Sequence, residues 1–282
     1  MDRSNVLDVD GFKINLMLMP LKNIRIHEEV LPNYLSDLTE SIRQSGVQLD
    51  PIIADIKTGI ALDGMHRIES IRKLECKRIM VAGVDYSDPR ITLKRWLRSV
   101  KLPTGIFDEL RYNLQLTRAR DMEEARSLVD SGASPIAVLS KEESFITSIK
   151  AQGLEYFKLV RRFDALTHGL TISPILDINL REYIDGGYKV LYVPTPKKDD
   201  VIFSGMSGTL FPPKSTRHLI PFRPVNVMCP LDLLKGRLAD HEAEERFNEL
   251  LLTKSRSELP SGSEYKGRVY EERLTVFNDR QS

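Results

Sequence analysis

Apolar positions along this 282-residue chain recur at two spacings, and the alternation between them predicts an α/β protein. Residues 13–19 alternate, with Ile14, Leu16 and Leu18 on one face, and predict a strand. From 33 to 45, Tyr34, Leu35, Leu38 and Ile42 fall at helical spacing, and Gly46 supplies a C-terminal stop. Residues 51–56 and 78–86 are short apolar runs bounded by turn residues, as buried strands are. Between them Ile60-Ala61-Leu62 reads as the end of a strand, and Ile68, Ile71 and Leu74 share one face of a following helix. Asp63-Gly64-Met65-His66-Arg67 is then a strand-to-helix turn. Residues 91–100, which hold the single tryptophan Trp96, suit either a strand or a short helix.

Leu102-Pro103-Thr104-Gly105 marks a boundary, so that residues 1–103 form a first α/β domain. Residues 104–238 form a second α/β domain, with helices expected around 121–131, 152–166 and 177–185 and strands around 135–139 and 188–193. Gly186-Gly187 separates the last helix from the last strand, and 194–198 reads as a surface loop. Residues 239–282 are expected to be a helix over 240–252, with Phe247, Leu250 and Leu251 on its apolar side, followed by a polar, weakly ordered tail beyond about Ser255.

Composition narrows the function classes. With 41 basic and 40 acidic side chains the formal net charge is +1, whereas a protein that coats nucleic acid carries a basic surplus. No nucleic-acid partner is expected. The two cysteines, Cys76 and Cys229, sit among apolar residues far from any partner at metal-ligand spacing, and read as core residues of a protein in a reducing compartment. No apolar stretch has the length of a leader or a membrane span, so a cytoplasmic protein without a membrane partner is expected. Oligomeric state is not legible.

Three polar segments carry chemistry. At the Asp63–Arg67 turn the first N–H groups of the helix lack partners inside it, and the dipole makes that end electropositive. Gly64 lets a ligand approach the backbone, and His66 and Arg67 suit a phosphate. The same five residues also suit a plain turn with Asp63 as N-cap. His27-Glu28-Glu29 is either an acid/base group or an exposed charged loop. Thr216-Arg217-His218 offers a hydroxyl, a guanidinium fork and an imidazole that can grip a carboxylate or phosphate, or it is only a loop. Three of the five histidines, His27, His66 and His218, fall in these segments, which favours their meeting in one site.

Strand, Asp-Gly-x-His-Arg turn and helix, preceded by a His-Glu loop and an amphipathic helix, resemble the ParB/sulfiredoxin-like superfamily. Sulfiredoxins carry a reactive cysteine where Met65 stands here, which excludes their redox chemistry. The Gly-Glu-Arg-Arg type motif and helix-turn-helix domain of ParB proteins are not evident. The free L-serine kinase branch of archaea and of staphylococcal siderophore pathways fits better. His27-Glu28 resembles its catalytic loop, Leu62–Arg67 its phosphate turn, Trp96 its pocket tryptophan, and Pro213–Phe222 its Thr-Arg-His substrate loop. The turn departs from the His-His form of the family at Met65.

This resemblance implies a ParB/sulfiredoxin-like first domain, with the active site in a cleft between it and the second. It implies phosphoryl transfer from ADP or ATP, with Mg²⁺, to the hydroxyl of free L-serine, giving O-phospho-L-serine of the kind used in cysteine biosynthesis. Asp63, Gly64, Met65, His66 and Arg67 would bind the nucleotide's phosphates, with Asp63 beside Mg²⁺. Glu28 would be the general base, with Asp63 and His66 also catalytic. Trp96, Thr216, Arg217 and His218 would hold the serine. A regulatory nucleotide- or DNA-binding module without kinase activity, and a kinase for another small alcohol, are the alternatives.

Overall fold

The computed structural model describes residues 5–151 and 153–280. It divides into two compact units, one made of residues 1–92, 202–210 and 218–282 and the other of residues 93–201 and 211–217.

The first unit is built on a five-stranded mixed sheet. Its order is Val6–Val9, Phe12–Pro20, Arg78–Val84, Ile52–Asp55, Ala61–Asp63. Only Arg78–Val84 and Ile52–Asp55 run parallel; the other neighbours are antiparallel. All seven residues of Arg78–Val84 are buried, as befits a central strand covered on both faces. Helices Pro32–Ser45 and Met65–Lys73 pack together, joined by the Thr39 hydroxyl donating to Ser70 Oγ at 3.0 Å. Gly46 ends the first helix in the left-handed conformation, φ 70°, with its N–H on the Ile42 carbonyl, as the sequence predicts. Helix Asp240–Leu252 buries Ala243, Phe247 and Leu251, four residues apart, and its Glu244 accepts the Leu18 N–H at 3.0 Å. Both cysteines are buried here.

The polar composition after Ser255 predicts weak order, and the structure differs. Lys254–Leu259 pairs antiparallel with Arg273–Asp279, which pairs parallel with Phe222–Val225. The apolar run within Arg273–Asp279 is short but well placed: Leu274 and Val276 pack with Val225 and Tyr270 in a small core. That contact spans about fifty residues of sequence, too far for a local reading of composition to find.

The second unit carries a six-stranded antiparallel sheet in the order Ser173–Ile175, Leu97–Val100, Lys189–Tyr192, Ala137–Leu139, Ser144–Thr147, Leu116–Arg118. The ambiguous 91–100 stretch resolves into strands Thr92–Arg95 and Leu97–Val100. Helix Met122–Asp130 is capped by Asp121, whose carboxylate accepts the Glu124 N–H at 2.8 Å, while the Glu124 carboxylate accepts the N–H of the preceding Arg120. Helix Tyr156–Leu166 matches the expected 152–166 apart from its first turn, and Gln152 lies outside the described residues. Helix Thr104–Asn113 forms where the sequence suggests only a boundary, and helix Lys198–Ser207 follows the expected loop. Among the described residues, no helix is long and apolar enough to cross a membrane.

Candidate active site

In the first unit the His27–Glu28 segment is laid alongside the strand that leads into the turn. Arg25 forms a parallel bridge with Ile60, its N–H on the Gly59 carbonyl and its carbonyl on the Ala61 N–H, both at 2.9 Å. Gly59 permits this approach: at φ +71°, a Cβ there would stand 2.1 Å from the Asn23 carbonyl oxygen. Glu28 is buried.

His27 is wholly buried, and its Nδ1–H donates to the Ala61 carbonyl at 2.8 Å. Burial pushes its imidazole down from the ordinary 6.5 to about 4, against the smaller upward pull of that carbonyl. The unfolded chain therefore binds a proton that the folded chain refuses between these two values. The stability His27 lends is fully present above pH 6.5 and is lost as pH falls through about 4, on the order of 3 kcal/mol. Urea midpoints between pH 4 and 7 are expected to rise more steeply with pH in the wild type than in His27→Gln. Equal slopes would show that His27 is not held neutral.

Gly64 turns the chain from strand Ala61–Asp63 into helix Met65–Lys73 at φ 101°, and the Gly64 carbonyl accepts the Ile68 N–H at 3.0 Å. An added Cβ would meet Ile52 Cγ2 at 2.7 Å and the Arg67 guanidinium at 3.0 Å. Gly64→Ala is expected to destabilise by about 2–4 kcal/mol, combining the left-handed backbone penalty with overpacking. Gly46→Ala, also at positive φ but with open space around its Cβ, isolates the first of these costs at about 1–2 kcal/mol. Equal losses in urea unfolding would mean that the close packing at Gly64 is not present in solution.

Asp63 sits between two arginines. Arg67 Nη2 donates to its Oδ2 at 3.1 Å, while Arg67 Nη1 donates to the Pro51 carbonyl at 3.0 Å. Arg223 Nη1 donates to the same Asp63 oxygen, and Arg223 Nη2 to Glu272 Oε1 at 2.9 Å. Burial by itself would push the Asp63 carboxyl up, but the charges of Arg223, Arg67 and Arg268 together outweigh it and hold the group well below the usual carboxylate range. Asp63 is an ionised carboxylate. For Arg223 too, burial opposes the charge and Asp63 and Glu272 overcome it, so its guanidinium is more firmly charged than usual.

The remaining turn residues divide between scaffold and ligand-facing roles. The Met65 side chain is buried, so what it can offer a ligand is its backbone N–H. His66 Nε2 accepts the Leu31 N–H at 2.9 Å, and Tyr34 stands edge-on to its ring at 4.8 Å. That hydrogen bond ties the start of helix Pro32–Ser45 to the turn. His218 lies edge-on to His27 with ring centroids 5.6 Å apart, and its Nε2 is 2.8 Å from the Tyr86 hydroxyl. Tyr86 escapes the sequence reading, where it only closes an apolar run. Nor does the sequence single out Ser204, whose Oγ donates to the His27 carbonyl at 2.8 Å. All three histidine-bearing segments thus meet within this unit, His27 with His218 directly and His66 through Leu31.

In the second unit Trp96 and Arg217 meet, the guanidinium 5.3 Å from the ring centroid, within cation–π range. The loop that carries Thr216 and Arg217 is fixed by Arg98, whose Nη2 donates to the Pro213 carbonyl at 2.9 Å while its Nε holds Asp164 at 2.7 Å. Ser215 Oγ donates to the Pro212 carbonyl at 2.7 Å, and Thr216 is buried. Thr216 begins strand Thr216–Leu219, where the sequence suggests only a loop. A surface hollow of about 490 Å³ in this unit, lined by Arg111–Asn113, Gln115–Thr117 and Ser148, holds none of the candidate residues.

No protein-family model matches the chain. It is similar, at 28% identity over 243 residues, to an ATP-dependent L-serine kinase of Staphylothermus marinus, covering 78% of this chain and 91% of that one. An ADP-dependent L-serine kinase of Thermococcus kodakarensis is 25% identical over 240 residues, covering 80% and 96%. Among solved structures, C-terminally truncated SbnI from Staphylococcus aureus superposes with a TM-score of 0.70 at 20% identity, covering 84% of this chain and 95% of that one. A free serine kinase in complex with AMP superposes at 0.67 and 24% identity, covering 83% and 97%. These superpositions establish a shared fold.

Proposed function

We infer that this chain is a free L-serine kinase, a small-molecule phosphotransferase that moves a phosphoryl group from an adenosine nucleotide to the serine hydroxyl. The L-serine kinases it resembles over most of its length support the reading. The observation in the structure that carries it is the Gly64 turn: an ionised carboxylate flanked by fixed guanidiniums at a helix start, with the buried Glu28 on the segment that Arg25 and His27 tie to the strand leading into it.

Phosphoryl transfer is largely a matter of positioning and charge stabilisation. In this reading the backbone N–H groups at Gly64 and Met65, with His66 and Arg67, hold the donor phosphates. Glu28 takes the proton from the serine hydroxyl as it attacks. His27, kept neutral, and His218 brace that segment from behind. For the amino acid's carboxylate the second unit offers the Arg217 guanidinium, set against Trp96 and next to Thr216.

Magnesium fits the turn as a cation carried mainly by the donor's phosphates. The described residues hold no group of three or more His, Cys, Asp or Glu arranged for a metal, but Mg²⁺ is commonly bound through one or two carboxylates plus phosphates. Asp63 would supply one oxygen, since Oδ2 carries both guanidinium bonds and Oδ1 neither of them. When bound, the ion would neutralise phosphate charge. The relatives split between ATP and ADP, so the donor is an experimental question.

Phosphorus NMR of the purified protein with L-serine, Mg²⁺ and either ADP or ATP tests the reading. A phosphoserine resonance with one donor identifies the reaction and the nucleotide together. Nucleotide binding without phosphoserine from either donor would overturn the serine assignment.

A further inference from the structure

We propose that Arg223 and Glu272 are positioning residues for the turn that transfers the phosphoryl group: a buried chain of ion pairs, Glu272 to Arg223 to Asp63, fixes the Asp63 carboxylate in place. The proposal rests on the kinase reading and extends it to the segment after Ser255.

The chain of contacts is direct. Arg223, on strand Phe222–Val225, donates through Nη2 to Glu272 at 2.9 Å and through Nη1 to Asp63 Oδ2. Exposure rises along it in one direction. The Glu272 side chain is 5% exposed, Arg223 8% and Asp63 39%. The network is closed at its far end and opens to solvent only at the carboxylate of the turn. A buried ion pair is poor value as a stabilising device, because desolvation cancels much of the attraction and a well-packed apolar pair often does as well. Buried charges that converge on a site residue are instead a mark of function.

The geometry says what the chain accomplishes. Arg67 grips Asp63 from the turn's own helix and is itself anchored on the Pro51 carbonyl. Arg223 grips the same oxygen from a different element, so Oδ2 is clamped between two guanidiniums and the orientation of Oδ1 follows. Glu272 aims Arg223 and offsets its charge; without it, an uncompensated guanidinium would draw the Asp63 carboxylate inward. Glu272 precedes strand Arg273–Asp279, whose pairing on both sides holds it in register with Arg223. The strand pairs of the C-terminal segment therefore serve as a rigid mount for one carboxylate.

The test compares Glu272→Gln, which removes the charge and keeps the shape, with Glu272→Asp, which keeps the charge one methylene short. Glu272→Gln is expected to lower kcat for phosphoserine formation at least tenfold (~1.4 kcal/mol) while KM for serine and for nucleotide stays within twofold. Glu272→Asp is expected to recover most of that loss. A crystal structure of Glu272→Gln is expected to find the Arg223 guanidinium reoriented and the Asp63 carboxylate turned. Wild-type kcat in folded Glu272→Gln, or an Asp63 that has not moved, overturns the proposal. If Glu272→Gln does not fold, Arg223→Lys, which keeps the charge but lacks the fork that reaches both carboxylates, carries the test; at least a tenfold loss of kcat is expected in it, and wild-type kcat overturns the proposal. Absence of phosphoserine from the wild type overturns the kinase reading instead, and the crystallographic comparison still decides the positioning claim.

Discussion

Glu28→Gln is expected to lower the rate of phosphoserine formation by about 10²–10⁴-fold, the usual worth of a general base, with nucleotide affinity unchanged. The glutamine keeps the volume of a buried side chain and removes its ability to accept the hydroxyl proton. The backbone frame around it, the Arg25–Ile60 bridge and the His27 bond to the Ala61 carbonyl, does not involve the Glu28 carboxylate. A loss confined to kcat is therefore the signature of the chemistry, and phosphorus NMR under single-turnover conditions reads it. Retention of more than about a tenth of the wild-type rate would remove Glu28 from that role.

The largest loss of stability is expected from Arg223→Met, at about 3–5 kcal/mol, because removing one partner of a buried ion pair leaves the other charges uncompensated. Here two carboxylates, Asp63 and Glu272, share the one guanidinium. The double variant Arg223→Met/Glu272→Leu is expected to be more stable than Arg223→Met, since the buried Glu272 charge leaves with its partner. Urea unfolding of the wild type, the single and the double variant measures both. A single variant within about 1 kcal/mol of wild type would mean that the buried chain of charges does not form in solution.

What the sequence disclosed and what it hid divide by distance along the chain. The turn from Asp63 to Arg67 was legible because its determinants are local: an apolar strand end, a glycine able to take φ 101°, and Ile68 and Ile71 at helical spacing, both buried. Helix Asp240–Leu252 was read at its observed bounds for the same reason. The grouping of His27 with His218 was reached only by counting histidines beside charges. Nothing local distinguishes Tyr86, Ser204, Arg223 or Glu272 from ordinary strand, helix and tail residues. Each gains its role from a partner more than 45 residues away. Helix Thr104–Asn113 was hidden by Pro103 and Gly105, which signal a break, although Pro103 is the N-cap. The strands after Ser255 were hidden by the polar residues that surround the run from Leu274 to Phe277.

The Asp63–Arg223 contact bridges 160 positions of chain, and this bears on how the molecule folds. Closing so long a loop loses entropy that grows with the logarithm of its length, before any contact rewards it. Topologies rich in such distant pairings fold slowly. The strand pairs and helices near the turn are local enough to form early, whereas the clamp on Asp63 must wait for the parallel pairing of Phe222–Val225 with Arg273–Asp279. Interactions absent from the transition state act on the rate of unfolding and barely on the rate of folding. A contact of this kind acts as a kinetic latch: where it forms late, its strength governs how long a folded molecule keeps a working turn.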